Sequence, residues 1–198
     1  MNRRTYLQQL SLTLGFAVSA ASLSEIMISC KNAPKAHWKP VVFSEEQAFL
    51  VEEICETILP RTKTPGARDI GVTQFIDASL KTMFTDADRK KFLEDLDDFN
   101  SACSSKYEVD FQSLDAKKRI EYLTTLDRES APFPISMWGI MLDPDPKPIT
   151  FFRKLKSLCL SAFFTSEKIG KNVLNYLPIP GQYEGCTDLK TGQKCWTE

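Results

Sequence analysis

Ile58-Leu-Pro-Arg-Thr-Lys-Thr-Pro-Gly-Ala-Arg-Asp-Ile-Gly-Val-Thr-Gln-Phe-Ile-Asp77 lies between two helical patterns and cannot itself be one helix. Pro60 has no N–H and clashes with the preceding turn, so it ends the helix before it. Pro65-Gly66 reads as a tight turn, and Gly71 as a position whose backbone takes an angle that other residues resist. Arg61, Lys63 and Arg68 place three positive charges on this connection. A charged, turn-rich loop held by two helices reads first as a helix–helix connection and second as a docking surface.

On the N-terminal side, Ser44-Glu-Glu-Gln47 fits a capping box, in which serine and glutamine side chains reciprocally satisfy exposed N–H groups. Leu50, Ile54 and Ile58 follow at helical spacing, with Val51 and Cys55 beside them. Glu45, Glu46, Glu52, Glu53 and Glu56 read as a solvated acidic face, because they lack the Gly and Asp spacing of a calcium loop. On the C-terminal side, Thr73 is expected to cap a helix carrying Phe75, Ile76, Leu80 and Phe84. Thr85-Asp-Ala-Asp88 restarts helix, with Phe92, Leu93, Leu96, Phe99 and Cys103 as its buried stripe. Asp86, Asp88, Glu94, Asp95, Asp97 and Asp98 alternate with Arg89, Lys90 and Lys91 on what reads as a solvent-facing side.

A further helix is expected from Ser113 to Glu129, with Ile120, Tyr122, Leu123 and Leu126 inward. Residues 131–148 differ in kind: five prolines accompany Phe133, Ile135, Met137, Trp138, Ile140, Met141 and Leu142. Proline leaves room only for a short helix over 135–142. The segment either packs across the bundle or presents apolar surface to another protein. Residues 149–164 form the most apolar helix, edged by Arg153, Lys154, Lys156 and Lys168. A last helix runs from Thr165 to Asn175 with Gly170 weakening it, and Pro178-Ile-Pro-Gly181 stops helical structure before an irregular tail. The fold class is therefore all-α: an irregular bundle of about five or six helices with a Pro-rich segment and an irregular C-terminal tail.

The 198 residues divide into 1–30, 31–43 as a polar tether, and 44–198 as a single helical domain whose core a 42% hydrophobic content can fill. Without residues 1–30, which hold Arg3, Arg4 and Glu25, the net charge moves from −1 to −2. That balance gives no footprint for nucleic acid. The single histidine, His37, sits in the spacer after the apolar start, and a solvated role fits it better than a catalytic one. No Gly-x-Gly-x-x-Gly follows a strand, and phosphate-binding loops and hydrolase elbows are missing, so the chain shows no cofactor or catalytic constellation of its own. No metal site and no c-type haem motif is present either.

Arg3 and Arg4, then the hydrophobic Tyr6 two positions on and a mildly apolar run from Leu10 to Ile28, resemble a twin-arginine export signal; an ordinary secretory signal is the alternative. Met27-Ile-Ser-Cys30 resembles a lipoprotein cleavage box, which makes Cys30 a candidate for lipidation. The chain is thus expected in the periplasm of a bacterium, membrane-associated by a lipid anchor or through a complex. Cys55, Cys103 and Cys159 fall on apolar helix stripes, where a thiol acts as a small hydrophobe. Cys186 and Cys195 lie in the Gly-containing tail, where an oxidising compartment favours a disulfide and free thiols are the alternative.

Ile58-Leu-Pro-Arg-Thr-x-Thr-Pro-Gly-Ala67, Gly71-Val and Phe75-Ile-Asp77 resemble the small (subunit 3, or gamma) subunit family of gluconate 2-dehydrogenase. Phe163-Phe-Thr-Ser-Glu167 and Tyr176-Leu-Pro-Ile-Pro-Gly-x-Tyr183 extend the resemblance over most of the chain after about residue 43. It implies a non-catalytic accessory subunit that exports and stabilises a large FAD-dependent dehydrogenase of the glucose–methanol–choline type. FAD would then reside in the partner and haem c in a further cytochrome c subunit, with the twin-arginine translocation machinery as a transient partner. Arg61, Pro65, Gly66, Trp138 and Tyr183 are the candidate contact or scaffold positions. A different class stays open: a stand-alone helical envelope lipoprotein that binds or hydrolyses a small molecule.

Overall fold

A computed structural model describes residues 38–133, 136–137, 140–141, 145, 147–177, 179, 181, 186, 188 and 190–197. Among them the chain forms α1 (Glu45–Ile58), α2 (Ala67–Ile70), α3 (Val72–Thr82), α4 (Asp86–Tyr107), a 3₁₀ turn (Phe111–Ser113), α5 (Ala116–Glu129), α6 (Phe151–Phe164) and α7 (Glu167–Asn172). One small hairpin, β1 (Ser136–Met137) and β2 (Ile140–Met141), interrupts the helices, with Ser136 opposite Met141 and Met137 opposite Ile140. The architecture is the expected all-α bundle, and five of its helices run eleven residues or longer. The short helix expected over 135–142 is replaced by this hairpin, consistent with the prolines that flank it and deny a helix its donors.

Local sequence chemistry sets the helix starts. Ser44 and Gln47 make the capping box, and Thr85, Asp115, Thr150 and Ser166 each accept the N–H three residues on. Each such cap contributes about 1 kcal/mol relative to alanine. Thr73 does not cap. The helix instead begins at Val72, directly after Gly71, whose φ of 75° closes α2 and opens α3, and Thr73 is buried inside it. The helix expected from Ser113 likewise starts later, at Ala116 behind the Asp115 cap.

The core lies between α1, α3 and α6, where Val51, Ile54, Cys55, Ile76, Leu80, Leu155 and Cys159 have no exposed surface. An aromatic run extends it toward α4 and α5: Phe43–Phe92, Phe92–Phe151, Phe99–Phe151 and Phe99–Tyr122, with ring centroids 6.5, 5.1, 6.1 and 5.3 Å apart. Burying each such side chain stabilises the fold by about 1.5–3 kcal/mol. Two residues read as inward, Phe75 and Ile120, are instead 43% and 57% exposed. Gly170 is compatible with α7 because it is buried against the tail, where an added Cβ would stand 3.1 Å from the Thr197 hydroxyl. Part of the tail expected to be irregular is in fact tied down. Asn175 N–H donates to Cys195 O at 2.9 Å, Asn175 Nδ2 to Lys194 O at 2.8 Å, and Thr197 N–H to Asn175 O at 3.0 Å.

Candidate functional site: a clamped loop and a closed excursion

Residues 59–66 leave α1 and cross back over its acidic side. The Glu56 carboxylate receives two backbone donors from the loop, Arg61 N–H at 3.0 Å and Arg68 N–H at 2.9 Å, one on each oxygen. The loop closes on itself through Ala67 N–H to Leu59 O and Thr62 N–H to Thr64 O, at 2.9 and 3.0 Å. The Asp69 side chain accepts Gly66 N–H at 2.9 Å and lies 3.4 Å from the Arg61 guanidinium. Gly66 is buried and extended, with φ −85°, so it is not the turn glycine expected. Glycine fits there for another reason: a Cβ would stand 2.6 Å from both Arg61 N and Glu56 Oε1. Pro65 sits half-buried beside it.

Glu53 anchors the same assembly from below. One oxygen pairs with Arg68 and the other with Arg119 of α5, while Arg68 Nε also lies 3.5 Å from Glu52. Arg119 then donates to Leu114 O at 3.0 Å and Gln112 O at 2.6 Å, and its guanidinium lies 5.7 Å from the centre of the Phe111 ring. The acidic face of α1 is thus not simply solvated. The Glu52 and Glu53 side chains are only 12% and 13% exposed, and with Glu56 they organise the loop, while Glu45 and Glu46 lie exposed at the start of α1. A carboxylate this shielded needs paired donors, because unpaired charge off water is costly. What remains outward is positive: Arg61, whose side chain is 75% exposed, and Lys63. Next along the chain, Pro60 borders a groove of about 370 Å³ whose apolar lining is Pro60, Leu114, Ala116 and the exposed Ile120, with the paired Glu53, Glu56 and Arg119 also along its wall.

A second anchor sits at the other end of the quoted stretch. Asp77 on α3 is 1% exposed, and its carboxylate accepts the backbone N–H groups of Val41 (2.7 Å), Val42 (2.9 Å) and Phe43 (2.9 Å). The last residues of the expected tether therefore belong to the fold, and Phe43 is buried in its core.

The Pro-rich segment is an excursion closed at its base. The Ser130 and Thr150 hydroxyls meet at 2.7 Å, and Arg153 donates to Asp127 O and Ser130 O at 3.3 and 3.2 Å. Asp127 pairs with Lys156 at 2.8 Å, and that hydrogen bond holds its carboxyl below the usual carboxylate range. Phe133, exposed at 45%, opens onto a groove of about 450 Å³ formed with Leu160, Phe164, Arg153 and Lys156 of α6.

Of the residues expected to matter, Arg61, Pro65 and Gly66 fall together in the clamped loop. Arg3, Arg4, Cys30, His37, Trp138 and Tyr183 lie outside the described residues. Cys186 and Cys195 are exposed free thiols, so the tail disulfide expected of them is not formed in this structure. Among the described residues no cluster of His, Cys, Asp and Glu could hold a metal, and no helix is long and apolar enough to cross a membrane. Sequence reading gave no role to Asp77 or Arg119 and took Glu53 and Glu56 for part of a solvated face. Asp77 carried a signal: a carboxylate four residues after Thr73 and three before Leu80 shares their buried face and must find donors there.

The profile described as Gluconate 2-dehydrogenase subunit 3 matches residues 45–181, which include the clamped loop, Asp77 and the base of the excursion. No curated protein and no solved structure matches the chain.

Proposed function

The chain belongs to the gluconate 2-dehydrogenase subunit 3 family, and from that premise we propose that it is the non-catalytic small subunit of a multi-subunit dehydrogenase. Its partner is a large FAD-dependent oxidoreductase of the glucose–methanol–choline type, which holds the flavin and performs the chemistry. A cytochrome c subunit takes the electrons. The small subunit supplies the export signal through Arg3 and Arg4, so that the folded, flavin-loaded partner crosses the membrane with it. The complex then works in the periplasm, held at the membrane by lipid on Cys30 or by its other subunits.

The observation that carries this reading, beyond the family, is the clamped loop. Its backbone N–H groups and carboxylates are turned inward upon one another, while Arg61 and Lys63 face out beside a largely apolar groove. Charges consumed in holding a backbone are poor candidates for acid–base work, whereas exposed cations next to a largely apolar groove suit docking of an acidic, apolar face.

Two measurements test the proposal. Replacing Arg3 and Arg4 by lysine is expected to strand the partner's activity in the cytoplasm; unchanged partner export defeats the carrier role. Arg61→Ala is expected to weaken co-purification of the flavoprotein at least tenfold while leaving the thermal midpoint of the small subunit within about 2 °C, because it removes only an exposed ion pair with Asp69. Turnover or tightly held flavin in the purified chain alone would overturn the accessory reading.

A further inference from the structure

Helix α6 carries more apolar side chain than the core takes up. Phe152, Leu155, Cys159 and Phe163 are buried in the bundle. A second stripe, Arg153, Lys156, Leu160 and Phe164, recurs every three or four residues and lies half-buried or exposed on another side of the same helix. With Phe133 this stripe lines the groove of about 450 Å³ at the base of the excursion. The groove is polarised along its length, with both cations toward the start of α6 and the apolar pair toward its end. Its lining holds no carboxylate: Asp127 pairs with both cations from outside it and offsets one of the two charges. Three other grooves of the described surface each include two carboxylates as well as cations. The Arg153 Nε–H is buried and finds no acceptor among the described residues, although buried donors are nearly always paired. Surplus positive charge and an unanswered donor at one end, with bare apolar surface at the other, fit an occupant that is anionic at one end and apolar at the other.

We infer that this groove is a second docking site for the flavoprotein subunit. It receives a short extended segment of that partner, with a carboxylate at the Arg153–Lys156 end and a large apolar side chain against Phe133 and Phe164. The inference rests on the proposed accessory role, which supplies the partner. Every lining residue falls within 45–181, the part of the chain that the family profile matches and the place to meet a partner common to that family. Shape selects the occupant as well as charge. A small-molecule site encloses most of its ligand, whereas Phe133 and Phe164 here stand nearly half exposed. A flat lipid surface, for its part, does not enter a groove.

The helix sets the length of what docks. From Arg153 to Phe164 it rises about 16 Å at about 1.5 Å per residue. An extended segment spans that distance with about five residues at about 3.3 Å each, so its carboxylate and its apolar anchor stand about four or five positions apart. The cationic end is already fixed in the free chain, by Asp127 on Lys156 and by the Arg153 bonds to Asp127 O and Ser130 O. Docking there loses little further freedom.

The test uses the full chain and the flavoprotein that co-purifies with it, identified by its bound flavin. A Phe164→p-benzoylphenylalanine variant is irradiated in the complex, and the cross-linked peptide is read by mass spectrometry. In parallel, the dissociation constant of the separated subunits is measured for wild type and for the Phe133→Ser, Phe164→Ser double variant, both sites being exposed. The cross-link is expected on an apolar stretch of the flavoprotein that carries Asp, Glu or a chain terminus within about six residues. The double variant is expected to bind at least tenfold more weakly. A cross-link to a second copy of this chain, to lipid, or to a stretch without a carboxylate overturns the inference, as does the absence of any cross-link. A folded double variant that binds like wild type overturns it too; where that variant loses its fold, the cross-link alone decides. Wild-type chain that captures no flavoprotein defeats the accessory role and this inference with it. A flavoprotein that binds wild type but ignores the groove defeats this inference alone.

Discussion

Asp77 offers the sharpest test of how the quoted stretch is held. Its carboxylate takes three backbone N–H donors, with Val42 and Phe43 on one oxygen and Val41 on the other. Asp77→Ala removes all three acceptors at a site with 1% exposure. At about 1.5 kcal/mol per bond to a charged acceptor, the loss is about 4 kcal/mol, kept below the full sum because water can reach the Val41 end. Asp77→Asn is the informative partner. Its single carbonyl oxygen can retain the Val42 and Phe43 bonds, but its NH₂ then confronts the Val41 N–H, donor against donor, for a loss of about 2 kcal/mol.

The assay is urea unfolding followed by circular dichroism, with hydrogen exchange read at the amides of residues 41–43. Midpoints should fall in the order wild type, Asn, Ala with an unchanged denaturant slope, since the fold that opens is the same. Thermal midpoints should drop by about 4–8 °C for Asn and about 8–16 °C for Ala, at 2–4 °C per kcal/mol for a chain of this size. Protection at residue 41 should vanish in both variants, and at 42 and 43 only in Ala. Equal losses in the two variants, or a loss under about 1 kcal/mol in Ala, would refute the claim that these bonds fasten the chain ahead of α1.

The other expectations concern the loop and the aromatic core. Gly66→Ala should cost about 2–3 kcal/mol, because its Cβ would meet backbone and a clamped carboxylate at 2.6 Å. Gly71→Ala should cost only about 1–2 kcal/mol, the torsional penalty at φ 75° with a movable Gln74 side chain as its nearest contact. Thermal melts that reverse this order would refute close approach as the reason for Gly66. Arg119→Met leaves shielded Glu53 with one cation instead of two and should cost about 3 kcal/mol, with Arg119→Lys recovering part of it; equal midpoints for Lys and Met would remove the case for the guanidinium fork. Burial pushes Tyr122 up to about 12. Its folded value is raised, so its contribution is intact below about pH 10 and is lost as pH rises through about 12, by at most about 3 kcal/mol. One of five tyrosines should therefore ionise last in an absorbance titration, and Tyr122→Phe should flatten the stability loss between those pH values.

Periodicity and caps made most of the fold legible. Ser44 with Gln47, Thr85 with Asp88 and the break at Pro60 are local signals, and local chemistry decided them. Phe75 and Ile120 were misread because a stripe on a short helix covers less than half its circumference, and only the neighbouring helices decide which edge of the stripe is covered. The hairpin at 136–141 was invisible because its pairing is two residues deep, too short for alternation to show. The clamp was half visible. Acidic α1 and basic 61–68 stand next to each other in sequence, and opposite charges so close invite pairing. Arg119 reaches Glu53 across 66 positions, a contact that composition along the chain cannot announce.

The clamp bears on the choice between connection and docking surface. Joining α1 to α2 needs only a handful of residues, and fixing each loop residue costs about 1–2 kcal/mol of backbone entropy. The fold meets that cost in the free subunit, using the Glu56 and Asp69 carboxylates on backbone N–H groups and the Glu53–Arg119 pair beneath. A mere connection gains little from such ordering, since a looser loop closes almost as cheaply. A binding surface gains directly, because whatever is ordered beforehand is not lost on association. The excursion shows the same economy at its base, where Ser130–Thr150 and the Asp127–Arg153–Lys156 cluster hold its two ends together before any partner arrives. Loosening the clamp while leaving the Arg61 side chain in place, as Gly66→Ala does by pressing on the Arg61 backbone and the Glu56 carboxylate, should therefore slow and weaken association with the flavoprotein beyond what the loss of folded subunit explains. A variant that loosens the loop yet leaves association per folded molecule unchanged would return the loop to the role of a simple connection.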